Sequence, residues 1–331
     1  MHQTRLSIAL LSSVLLSVPV MAEAQTDCGD QPGSTAEAVY TIDTPEQAIA
    51  LKIETIEPVQ IEAQLSNPNP NPNPNPEPIM PQPTNIETSS QTVEAAAPNV
   101  KAAVANYEAI LQRRITRGEA GLNLFDYAAA KSAGELKDVK AYTDHLAAQN
   151  PDEMSEADQI AYWANLYNAL TVKLILENYP VKSIRKIKAG AFSQGPWKRD
   201  EVTVNGKVLS LDDIEHGILR KQYSNPAMVH YMVNCASIGC PNLPSKLWVG
   251  ETLDVDRTAA AREFINSPRG VAIKGDDLKV SSIYDWFKED FGGSKSTTLD
   301  HYRKFAGPAL KAALDAGATI DDYDYNWDLN E

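Results

Sequence analysis

Between Ser155 and Asn178 the chain carries apolar side chains on almost every face of a helix, and this narrows the folds open to it. At about 100° per residue, Ile160, Trp163, Leu166, Leu170, Val172 and Ile175 surround the axis instead of forming one stripe. Such a helix must be enclosed by the rest of its domain. Ser155 supplies an N-cap with Asp158 three residues on, and Pro180 bars continuation. Asn165 and Asn168 fall among the apolar positions, so both amides need partners. They either tie the helix to neighbouring loops or reach a site. Ala161 and Ala164, close to Asn168 on the wheel, admit another backbone.

The flanking pattern mixes helices with hairpins. Val104, Tyr107, Ile110 and Leu111 fall at helical spacing from near Val100, and Glu135 to Gln149 predicts a second helix. Val202 to Leu209 reads as a hairpin about Asn205-Gly206, and Val271 to Val280 as another about Gly275. Ser210 caps a further helix, Val229 to Val233 suits a short buried strand, and Arg257 to Asn266 is helical. Ile283 to Phe291 and Tyr302 to Ala316 predict the last helices. The expectation is an α+β fold: a helix-rich single domain with a central buried helix and a small antiparallel sheet, preceded by a disordered stalk.

The stalk rests on composition. Asn and Pro alternate from Asn67 to Pro76, which removes donors and keeps the backbone extended. Residues 25–95 hold eleven acidic residues against Lys52 alone, most of the chain's net charge of −14. Residues 1–24 read as a signal peptide: Arg5, an apolar run from Leu6 to Val20, and Ala22-Glu23-Ala24 as a cleavage site. The expected organisation is therefore signal 1–24, acidic Pro-rich linker 25–95 and folded domain 96–331, in a periplasmic or secreted setting. No basic stripe is present, which argues against nucleic acid as a partner. After cleavage no integral membrane segment is expected.

Chemistry concentrates in two short stretches. Val229 to Pro241 contains His230, Cys235 and Cys240, two of the three cysteines in the chain. Ser210 to Arg220 contains Glu215, His216 and Arg220. Glu215 falls between Leu211 and Leu219 on the helical wheel, inside the buried arc, where a carboxylate needs a partner. His216 and Arg220 lie one turn apart, a poor pair if both are charged. Three readings fit: a nucleophilic thiol with histidine as base and Glu or Asn as orienter; a zinc site using His230, Cys235, Cys240 and His216; or a structural disulfide between Cys235 and Cys240 beside a buried histidine. In the first, Cys235, just past a strand end, is expected to matter more than Cys240.

These stretches, with Ala161 to Thr171 and Ser281 to Phe291, resemble the domain of unknown function 547 family in residues and in order. The resemblance covers roughly residues 155 to 300. Matching family motifs contain Asn165, Asn168, Glu215, His216, Arg220, His230, Cys235 and Cys240. Plant relatives often carry serine at the two cysteine positions, which leaves Glu215, His216, Arg220 and His230 as the steadier candidates. The leading expectation is an exported hydrolase or transferase assisted by a thiol or histidine. Cys235, His230, His216 and Glu215 would be catalytic, and Arg220, Asn165 and Asn168 substrate contacts. The alternative is a non-catalytic cell-envelope binding module using the same cleft, with the cysteines as a disulfide or as metal ligands. The expected partner is a small molecule or peptide, and the leading reading implies no cofactor.

Overall fold

Sixteen of the 23 residues of the Glu156–Asn178 helix are buried, so the enclosed helix predicted from its all-round apolar surface is the axis of the domain. A computed structural model describes residues 90–188, 190 and 195–331. The expected signal segment, Cys28 and the stalk as far as residue 89 lie outside the described residues.

The chain enters through α1 (Ser90–Arg114), ten residues ahead of the Val100 start read from the apolar spacing. A hairpin of β1 (Ile115–Arg117) and β2 (Asn123–Phe125) follows, then α2 (Tyr127–Ser132) and α3 (Leu136–Ala147). The central helix is α4 (Glu156–Asn178), and the Ser155 side chain caps it by accepting from the Asp158 N–H. Beyond it β3 (Val202–Val204) and β4 (Lys207–Leu209) form the expected hairpin, with Asn205 and Gly206 both at positive φ. The helix after Ser210 is π-wound over Asp213–Leu219 and ends in a turn at Arg220–Gln222. After it come α5 (Pro226–Val229) and α6 (Leu253–Ile265).

Residues 229–233 correct the expected strand. Asn225 at φ 65° and Pro226 at the first helical position start α5, and the chain then turns at His230–Tyr231 instead of extending. The apolar run is there because it is buried on both sides. Val229, Met232 and Val233 join a core built on α4, while Met228 and Tyr231 join a second core. Periodicity cannot distinguish such a run from a buried strand.

The second core packs on a three-stranded sheet. β5 (Val271–Lys274) pairs antiparallel with β6 (Asp277–Ser281), as expected. After α7 (Ile283–Trp286), α8 (Lys295–Phe305) and α9 (Pro308–Asp315), β7 (Ile320–Asp324) adds to β6 in parallel. The sheet is thus mixed, because the helical crossover returns the chain to the end from which β6 started. The domain is a helix-rich α+β structure. Among the described residues no helix is long and apolar enough to cross a membrane.

Candidate functional site

The two cores meet at a cavity of about 260 Å³. Tyr167 of α4 and Val233 reach it from the first core, and Ile283 and Phe287 from the second. Glu215, His216, His230, Cys235 and Cys240, predicted from two separate stretches, all line it.

The loop Asn234–Pro241 presents the thiols, and hydrogen bonds to α4 and to the C-terminal segment hold it. The Asn168 carboxamide accepts from the Asn234 N–H at 2.8 Å and donates to the Met232 carbonyl at 2.9 Å. Asn234 in turn donates to the Pro241 carbonyl at 2.7 Å and accepts from the Ala236 N–H at 2.8 Å, closing the loop on itself. Ala236 sits at φ 58°, a left-handed conformation costly for a residue with a Cβ. On the outer side Ile238 and Gly239 donate to the carbonyls of Asp328 and Asn326. Gly239 is required there: a Cβ would stand 2.9 Å from the Asn326 carbonyl and from the Tyr325 ring.

That close approach delivers the Tyr325 hydroxyl to the thiols. It lies 3.0 Å from Cys240 Sγ, 3.2 Å from Cys235 Sγ and 2.8 Å from Ser237 Oγ. The sulfurs approach each other to 2.7 Å, and the Cys235 N–H donates to Cys240 Sγ at 3.1 Å. Burial pushes the Cys240 thiol up, but donors from Cys235, Tyr325 and Ser237 outweigh it and bring the pKa down to about 7. Cys235 moves the other way: its hydrogen bond to Cys240, then burial, raises it well above the ordinary thiol value. Cys240 is thus the sulfur at which the Cys235 N–H is directed, across the turn that brings the two thiols together. Arg269 anchors the same residue, donating to the Cys240 carbonyl at 3.1 Å and to the Asn242 side chain at 2.7 Å.

His230 is buried and stacks on Phe287 with ring centroids 4.5 Å apart. Its Nε2 lies 2.7 Å from Asp290 Oδ2, and Arg220 Nε donates to the same oxygen at 2.5 Å. Burial raises the Asp290 carboxyl, but His230 and Arg220 together bring it down to about 2. Arg220 also covers the Phe287 ring, with Cζ 4.5 Å from the centroid, and donates from Nη1 to His216 Nδ1 at 3.2 Å. Since a guanidinium only donates, His216 Nδ1 accepts and carries no proton. Among the described residues neither imidazole lies within hydrogen-bonding distance of a sulfur.

Glu215 is buried, as the wheel required; its carboxylate lies close enough to act on the Tyr167 hydroxyl and 3.8 Å from His216 Nδ1. The π-winding carries it, through a bond from the Arg220 N–H to the Glu215 carbonyl. Asp212, one turn earlier, also lines the cavity, with its carboxyl raised by burial.

The three expected substrate contacts stand outside the cavity lining. Asn165 exchanges two hydrogen bonds with the Trp248 backbone, at 2.8 and 3.0 Å. Asn168 holds the cysteine loop, and Arg220 is engaged with Asp290 and His216. Both asparagines thus tie the helix to loops. For the zinc reading, no group of three or more His, Cys, Asp or Glu among the described residues is placed to hold a metal ion.

Asp290 and Tyr325 also belong to the site and carry weaker signals in the sequence. Asp290 lies in the Ser281 to Phe291 stretch, where an acidic residue in a helical pattern does not stand out. Tyr325 belongs to Tyr323-Asp324-Tyr325-Asn326-Trp327, whose aromatics at every second position mark one face of an extended segment.

Fold and site together define a helix-rich α+β domain with a dithiol pocket walled by aromatic side chains. Residues 151–265, from the start of the α4 region to the end of α6, match the model of the family described as Protein of unknown function, DUF547, which supports a DUF547 assignment for that segment. No curated protein and no solved structure matches the chain.

Proposed function

We propose that the cavity is the active site of a thiol-dependent hydrolase or transferase, with Cys240 as nucleophile. The observation that carries this reading is a sulfur, Cys240 Sγ, met by the Cys235 N–H and the Tyr325 hydroxyl in a cavity that also holds a buried histidine paired with the half-buried Asp290 carboxylate. A pKa near neutrality gives a large thiolate fraction without the loss of nucleophilicity that a much lower value brings.

The thiolate arises from its own donors, Tyr325, Ser237 and the Cys235 N–H, so it needs no imidazole in contact. Its Sγ forms a bond to an electrophilic carbon of the substrate, and the bond from that carbon to the leaving group breaks. His230 holds one proton on Nε2, directed at Asp290, and a second on Nδ1 that passes to the departing atom; the attacking water or acceptor returns that proton to Nδ1. Water completes a hydrolysis, or a second acceptor a transfer, and restores the thiol. Phe287 fixes the plane of His230, and Asp290 its tautomer.

A second reading has its own support. Sulfurs at 2.7 Å are placed to oxidise, and an exported setting, expected from the N-terminal segment, favours a disulfide. The cavity would then serve a non-catalytic binding module. p-Nitrophenyl acetate separates the two. The enzyme reading expects one acetyl group per chain on Cys240 near pH 7, none in Cys240→Ala, and slowed release in His230→Asn. A native protein with Cys235 and Cys240 fully oxidised and resistant to mild reduction would support the binding module and sink the enzyme.

A further inference from the structure

The cavity is aromatic along one wall and anionic at one end. Trp286 stacks on Trp327 at 5.6 Å between centroids, Tyr325 lies 4.6 Å from Trp327 and 4.9 Å from Trp286, and Trp197 meets Trp327 edge-on at 5.6 Å. Trp286 remains 46% exposed, so the wall extends to the mouth. Three of the chain's five tryptophans are used here. Asp212 and Glu215 face the same space.

No lysine or arginine lines the cavity among the described residues. Lys198 is close enough to act on Asp212, and Arg220 is held by Asp290, but neither reaches the lining. Two carboxylates in a half-enclosed space without a lining Lys or Arg make it attractive to cations. Indole and phenol faces present negative quadrupole charge and bind cations with little penalty for displaced water. Trp327 already does so on a small scale, with the Arg185 guanidinium 5.1 Å from its centroid.

From this convergence we infer that the cavity binds an organic ammonium group, and that substrates of the proposed thiol chemistry carry such a group beside the bond that is broken. The substrate clause rests on the enzyme reading; the binding clause does not. Aromatic faces with carboxylates also suit a neutral sugar, but a sugar gains nothing from the cavity's net negative character, whereas an ammonium gains from both features.

The test is tryptophan fluorescence of the full-length protein titrated with choline, with its neutral isostere 3,3-dimethylbutan-1-ol, and with glucose. Saturable quenching by choline is expected, at least about tenfold tighter than by the isostere. Asp212→Asn should remove most of that preference and leave the isostere unchanged, and Trp286→Leu, at an exposed position, should weaken choline without unfolding the domain. Equal response to choline and isostere, no saturable response to choline, or tighter binding of glucose would overturn the inference. Repeating the titration in Cys240→Ser separates the two proposals, since binding there does not depend on a reactive thiol.

Discussion

At the scale of single residues, the pocket is governed by which sulfur receives the donors. Cys240 accepts from the Cys235 N–H and from Tyr325, and Tyr325 stands where it does because Gly239 leaves room for its ring. Tyr325→Phe keeps the ring and removes one donor. A hydrogen bond to a charged group contributes about 1.5–3 kcal/mol, so the Cys240 thiol should titrate about one to two pH units higher, measured by alkylation rate against pH. Asp290 governs the histidine. Its carboxyl is held at about 2, below the ordinary value of about 3.9, by His230 and Arg220. The ionised carboxylate therefore stabilises the fold fully above about pH 4, and the contribution is lost as pH falls through about 2. Asp290→Asn should cost about 1–2 kcal/mol at pH 7 in urea unfolding, and the gap from wild type should close between about pH 4 and pH 2. Glu215 and the two histidines were legible in the sequence because a carboxylate in an apolar arc and rare imidazoles stand out locally. Asp290 and Tyr325 were not, since an acidic residue at a helix end and a tyrosine near a chain end look ordinary until folding brings them 60 and 85 residues back to their partners.

At the scale of elements, α4 was the most readable and also does the most to place the site. Its apolar surface fixed its burial, and its two asparagines are the hooks by which it holds loops. Asn168→Ala leaves the buried Asn234 N–H and Met232 carbonyl without those partners and should destabilise the domain by about 2–4 kcal/mol in urea, with the cysteine loop the first segment to gain amide exchange. Elements with one clear period were read correctly, as the two hairpins show. Segment 229–233 was misread because its side chains serve two cores and show no single period. β7 went unseen because Asp321, Asp322 and Asp324 dilute its apolar pattern, although Ile320 is buried beneath the sheet. The π-winding at Asp213–Leu219 has no signature in hydrophobic spacing, yet it sets the rotation that puts Glu215 and His216 on the cavity wall.

At the scale of the whole molecule, the site exists because two cores abut. The first holds α4, and the second holds the mixed sheet with α6, α8 and α9. The short segment from Ala227 to Val233 feeds both, so the thiols and His230 are carried at their junction. Among the described residues both cores draw only on positions after residue 100, and a chain beginning at Gln82 is expected to unfold at the same urea midpoint as the full-length protein. A clearly lower midpoint would mean that earlier residues contribute to the fold. The central claim, that this junction makes Cys240 a thiolate near neutral pH, is tested most directly by graded-pH alkylation of the reduced native protein, with peptide mapping of each cysteine. The account predicts that Cys240 reacts with a midpoint near 7 while Cys235 lags well behind. Midpoints for both near the ordinary thiol value of about 8.5, or Cys235 reacting first, would contradict it.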